Sequence, residues 1–144
     1  MTNMTAVYKK NDLQSLSKEV LDRLKTEGKN VILMEGDLGA GKTTFVQVLA
    51  KELGVTEEII SPTFVIQKSY ETKDHIFKKL IHIDAYRIED AREMINLGWQ
   101  DTVSNKENLV VVEWPSKILE ILPENAKEMK FAHIDVETRE ISYE

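Results

Sequence analysis

The sequence predicts a three-layer α/β fold built on a mixed parallel and antiparallel sheet. Three observations predict it. The apolar run "NVILME" (30–35) leads directly into a glycine-rich loop and then an amphipathic helix, which marks it as a buried strand in a strand–loop–helix unit. A second apolar run, "NLVVVEW" (108–114), reads as another buried strand. Between them, "TFVIQKSYE" and "IFKKLIHID" flank the turn candidate "TKDH". A hairpin at that place makes the sheet mixed rather than purely parallel.

Length and composition narrow the classes. The 144 residues are consistent with one domain, 1–144, large enough to bury a core without staples. A formal net charge of −6 argues against a whole-surface electrostatic grip on nucleic acid. There is no cysteine, which excludes disulfides and thiolate metal sites and fits a reducing, cytoplasmic setting. "MTNMTAVYKKNDL" lacks the apolar stretch of a secretory signal. No apolar run approaches the roughly 20 residues needed to span a bilayer, so no membrane association is expected.

The elements follow in order. Leu13, Leu16, Val20, Leu21 and Leu24 recur at helical spacing on one face, with Asn11 or Asp12 as the cap and Gly28 as the stop. The glycine-rich loop opens a second helix, about 42–53, that turns Phe45, Val46, Val48 and Leu49 inward and stops at Gly54. Ser61-Pro62 breaks the chain before the hairpin. Lys73, Lys78 and Lys79 read as a solvated hairpin or, more sharply, as a site for RNA or an acidic partner. "IEDAREMINLG" is a short helix ending at Gly98, and "PSKILEIL" opens a helix with Pro115 in its first turn, where a missing N–H costs nothing. "KFAHIDVE" and "REISYE" alternate as closing strands.

The chemistry concentrates in the loop. Gly36, Asp37, Leu38, Gly39, Ala40, Gly41, Lys42 and Thr43 fit the pattern G-x-x-x-x-G-K-[ST] between a strand and a helix, the context a phosphate-binding loop requires. Its glycines allow the backbone to approach phosphates closely, and the helix adds its positive N-terminal end. Lys42 is placed to reach β- and γ-phosphates and the Thr43 hydroxyl to ligate Mg²⁺. Thr44 reads equally as an α-phosphate contact and as a first-turn residue without a ligand. Such a loop needs an acid at the end of a neighbouring buried strand. Asp84 ends "LIHID" and Glu113 ends "LVVVE". One of them binds metal, directly or through water, and the other orients the attacking water. Thr63 in "SPTF" is a candidate γ-phosphate sensor, with a plain strand-opening threonine as the competing reading. His82 is read as packing beside the strand of Asp84, and Trp99 and Trp114 as core or partner anchors. The whole is a P-loop NTPase-like architecture.

"GDLGAGKTTF", "SPTF" followed by "HIDAYR", and "VVEWPSKI" occur in that order, and together they resemble the TsaE (YjeE) family of bacterial P-loop ATPases. The resemblance spans roughly 31–122. It implies an ATP- and Mg²⁺-dependent role in making threonylcarbamoyladenosine at position 37 of tRNA, alongside TsaB and TsaD, with tRNA met indirectly through the complex. It makes Thr43 and Glu113 the Mg²⁺ ligands, Asp84 a catalytic or supporting acid, and Thr63 part of a switch-like segment. It assigns adenine contacts to Asp12 and Arg139.

A small-molecule kinase tends to clamp its acceptor with several arginines, and only Arg23, Arg87, Arg92 and Arg139 are present. A GTP switch needs a guanine-reading aspartate, but "SNKEN" continues with Asn108. A binding module that holds ATP without turnover remains open at this level.

Overall fold

A computed structural model describes residues 4–9, 12–36, 41–60, 62, 65–133 and 138–143. In chain order the elements are strand β1 (Met4–Lys9), helix α1 (Leu13–Glu27), β2 (Val31–Gly36), α2 (Lys42–Glu52), β3 (Gln67–Glu71), β4 (Lys79–Asp84), α3 (Arg92–Asn96), α4 (Trp99–Ser104), β5 (Asn108–Glu113), a 3₁₀ helix (Pro115–Ile121), β6 (Lys127–His133) and β7 (Thr138–Tyr143). The strands form one sheet in the order β1-β7-β6-β2-β5-β4-β3. β6, β2, β5 and β4 run parallel, while β3, β7 and β1 join antiparallel. The mixed sheet matches the sequence-based expectation.

Two cores sandwich the sheet. Alternation along β2, β4 and β5 sends Ile32, Met34, Leu80, Leu109 and Val111 to the face covered by α1 and α2. Val31, Leu33, Ile81, Ile83, Val110 and Val112 face the other side, under α3, α4 and the 3₁₀ helix. The five predicted apolar positions of α1 are all buried, and Gly28 ends the helix at φ 69°. Asp12 occupies the N-cap but makes no side-chain capping bond, and Asn11 lies outside the described residues. In α2, Phe45, Val46 and Leu49 are buried, Val48 is only half-buried, and Ala50 joins the core.

Several expectations shift. β1 carried no strand prediction; it is held by β7, with Met4 opposite Tyr143. The return strand of the hairpin begins at Lys79 rather than Ile76, because the Asp74 carboxylate accepts the N–H groups of Ile76 and Phe77 and holds them in the turn. The three lysines of that hairpin are exposed. The stretch read as one helix ending at Gly98 is followed at once by α4, which buries Trp99; Gly98, at φ 87°, is the joint between two helices. The segment after Pro115 is 3₁₀ and kinks at Ile118. Asn30 precedes β2 instead of opening it, and its amide donates to the carbonyls of Val103, Asn105 and Asn108 at 3.0, 3.2 and 3.1 Å. This ties α4 and the start of β5 to the strand that carries the phosphate loop. No helix among the described residues is long and apolar enough to cross a membrane.

Candidate functional site

The parallel strands β2, β5 and β4 present their carboxyl ends side by side, the edge at which α/β sheets bind ligands. β2 ends at Gly36, which opens the loop. Gly36 has φ 153°, and a Cβ there would lie 2.6 Å from the Phe131 carbonyl oxygen on β6. Neighbouring backbone therefore demands glycine at this position, independently of any phosphate. Gly41, at φ 96°, is the N-cap of α2. Asp37, Leu38, Gly39 and Ala40 lie outside the described residues, as does Thr63.

Lys42 opens α2 and is only 5% exposed. Its ammonium donates to the Gly36 carbonyl at 2.7 Å and lies 4.2 Å from the centroid of the Trp114 ring. Among the described residues no carboxylate pairs with it. A buried cation met, among the described residues, by a neutral carbonyl and an aromatic face suits an anionic ligand such as a phosphate. Thr43 and Thr44 are half-buried in the first turn behind it.

Asp84 and Glu113 are register partners on β4 and β5, 5% and 4% exposed. By alternation both project to the face that holds α2. Neither faces open solvent at a sheet edge. Asp84 Oδ1 accepts the Tyr86 N–H at 3.0 Å, and Ala85 N–H donates to the Glu113 carbonyl at 3.0 Å, which locks the two strand ends together. Glu113 Oε2 is 2.6 Å from Nε2 of His82, a fully buried side chain for which the sequence predicts packing alone. The signal was present: in "HID", two-residue spacing puts His82 on the same face of β4 as Asp84.

Trp114 follows Glu113 in the left-handed region at φ 59°, and its ring stands 5.2 Å from that of Tyr86. The sequence predicts a core residue or partner anchor at Trp114; in the structure its half-buried ring lies against the Lys42 ammonium. Trp99 is core, its indole N–H donating to the Ile121 carbonyl at 2.9 Å. The segment before β3 is fastened to the same region. Asp84 N–H donates to the Ile66 carbonyl at 2.8 Å, and Val65 and Ile66 N–H groups both donate to the Pro62 carbonyl. Ile66 has φ 68°, a strained value for a β-branched residue.

Asp12 and Arg139 lie on elements outside the β2–β5–β4 strand ends. Asp12 stands before α1, and Arg139, on β7, is the register partner of Tyr8 on β1; β7 is separated from β2 by β6. Among the described residues no group of three or more His, Cys, Asp or Glu forms a self-sufficient metal centre.

The family model for "Threonylcarbamoyl adenosine biosynthesis protein TsaE" matches residues 7–141. The chain belongs to the TsaE family. It is 39% identical over 114 residues to the TsaE protein of Bacillus subtilis (strain 168), covering 79% of this chain and 68% of that one. It is 40% identical over 129 residues to TsaE of Aquifex aeolicus, covering 83% and 87%. It is 30% identical over 140 residues to TsaE of Rickettsia bellii, covering 96% and 92%. The crystal structure of Bacillus subtilis YdiB superposes with a TM-score of 0.73 at 27% identity, over 99% of this chain and 84% of that one. The P-loop NTPase-like α/β fold of this TsaE-family chain is thus shared with a solved structure.

Proposed function

We propose that this chain is the ATP-binding and ATP-hydrolysing component of tRNA threonylcarbamoyladenosine biosynthesis, working on Mg·ATP together with TsaB and TsaD and meeting tRNA through that complex. Family membership supports the pathway. The observation that carries the chemistry is the pairing of two buried carboxylates, Asp84 and Glu113, in register at the strand ends beside the start of α2.

The residues fit the ligand. Backbone N–H groups of the loop and the α2 N-terminus would hold phosphate oxygens, and the Lys42 ammonium would exchange its carbonyl partner for them. Thr43 and Glu113 would hold Mg²⁺, whose role when bound is to neutralise charge on the β- and γ-phosphate oxygens. Asp84 would orient the attacking water and accept its proton. Thr63, between Pro62 and Val65 in the sequence, would sense the γ-phosphate. Asp12 and Arg139 are proposed adenine neighbours on the strength of the resemblance alone.

Phosphoryl transfer is catalysed mainly by positioning and charge stabilisation. This chain has only four arginines, and Arg87 is exposed three residues past Asp84. A missing positive charge supplied by a partner is worth roughly 10³–10⁵ in rate. The test is steady-state ATP hydrolysis by the chain alone and with the TsaB–TsaD pair, with calorimetry for ATP against GTP. Slow turnover alone, marked stimulation by the pair and a preference for ATP are expected. Full-speed turnover by the lone chain, or equal affinity for GTP, would overturn the proposal.

A further inference from the structure

His82 has no assigned part in this chemistry, yet it is placed to shape it. It lies on β4 with Leu80 and Asp84, on the face toward α2, and none of its surface is exposed. Nε2 stands 2.6 Å from Glu113 Oε2. An ionised carboxylate only accepts hydrogen bonds, so Nε2 carries the proton. Nδ1 is buried and has no hydrogen-bond partner among the described residues. The imidazole therefore gives one directed hydrogen bond, to one oxygen of one carboxylate.

A simple packing role does not account for this arrangement. An apolar side chain at position 82 would fill the same space between Leu80 and Asp84 without leaving a ring nitrogen unsatisfied. What it would not do is fix the rotation of Glu113. With Oε2 held by His82, Oε1 is the oxygen with no partner among the described residues. Carboxylates and imidazoles that hold a metal ligand in one orientation have this geometry.

We propose that His82 is a positioning residue for Glu113, turning the carboxylate so that Oε1 alone is offered to Mg²⁺ or its water. This rests on the Mg·ATP reading above. The test compares ATP affinity in Mg²⁺ with ATP affinity in EDTA, by calorimetry, for the unaltered chain and for His82→Leu, His82→Gln and His82→Asn, with melting curves for each. A glutamine amide reaches the place of Nε2, whereas the shorter asparagine amide reaches only that of Nδ1. In His82→Leu and His82→Asn the Mg²⁺-dependent gain in affinity is expected to fall roughly ten- to hundredfold. Metal-free affinity should stay unchanged, and His82→Gln should restore most of the gain. If the leucine variant does not fold, the glutamine–asparagine contrast decides. Equal behaviour of those two variants, or a folded leucine variant with the full Mg²⁺ gain, would overturn the positioning role alone. No Mg²⁺ gain in the unaltered chain would overturn the Mg·ATP reading with it.

Discussion

The Lys42 ammonium lies 4.2 Å from the centroid of the Trp114 ring, so the lysine of the phosphate loop rests against the residue that follows Glu113. One side chain thereby bridges the start of α2 and the end of β5. Replacing Lys42 with Met keeps the aliphatic stem on the indole and removes only the charge. Nucleotide affinity is expected to fall by about 1.5–3 kcal/mol, the range for hydrogen bonds to charged groups. The melting temperature should barely move, since a carbonyl and a ring face are its only partners among the described residues. Calorimetry and a thermal scan check both.

Asp84 and Glu113 are expected to separate in isosteric variants. Asp84→Asn keeps an oxygen for the Tyr86 N–H and removes the charge, so nucleotide binding should persist while partner-stimulated hydrolysis is lost. Glu113→Gln should weaken binding chiefly when Mg²⁺ is present. Nucleotide titrations with and without Mg²⁺, beside stimulated rates, distinguish the two. A stimulated Asp84→Asn variant would remove Asp84 from its proposed role.

Gly36→Ala is expected to destabilise the fold by roughly 2–3 kcal/mol. The new Cβ would meet a backbone oxygen at 2.6 Å in a left-handed conformation, and neither β2 nor β6 can yield without losing pairing. Chemical denaturation measures the loss. A variant that is fully stable but blind to nucleotide would show that the glycine serves the ligand alone.

Asn30→Ala is expected to cost about 1–3 kcal/mol, because three carbonyls lose their shared donor at a buried joint. Denaturant midpoints report it, with nucleotide affinity at saturating stability unchanged.

The Asp74 carboxyl is held below the usual carboxylate range. Burial pushes it up, but the Lys25 ammonium at 2.8 Å and the N–H groups of Phe77 and Ile76 outweigh that. A carboxyl with a depressed folded-state value contributes stability that is present above its unfolded value and lost as pH falls through the folded one. The loss should therefore develop below about pH 4. Asp74→Asn should be less stable at pH 7 and show a flatter stability profile below pH 4. Melting temperatures across that range provide the check.

Much of this was legible in the sequence because the strongest signals were local. The helical spacing from Leu13 to Leu24 and the runs ending in Glu35 and Glu113 each declare one element by their own periodicity. The loop from Gly36 to Thr43 declares its chemistry by spacing alone. What stayed hidden depends on distant partners. β1 is a strand because β7 pairs with it. Trp99 opens a new helix because the far core receives its ring. The His82–Glu113 contact joins residues on two strands and could not be read from either strand alone. Gly36 was attributed to phosphate approach, whereas its packing against Phe131 becomes visible only once β6 lies beside β2.

The bond from Asp84 N–H to the Ile66 carbonyl joins two main-chain groups, and that has an evolutionary consequence. Side chains from Val65 to Gln67 can be exchanged without deleting either partner of that bond. Only a proline at position 84 would abolish the donor, and it would remove the acid as well. The placement of the carboxylate thus depends on the backbone conformation at Ile66, so a change there that relaxes its φ of 68° would be felt at Asp84 without touching the acid itself.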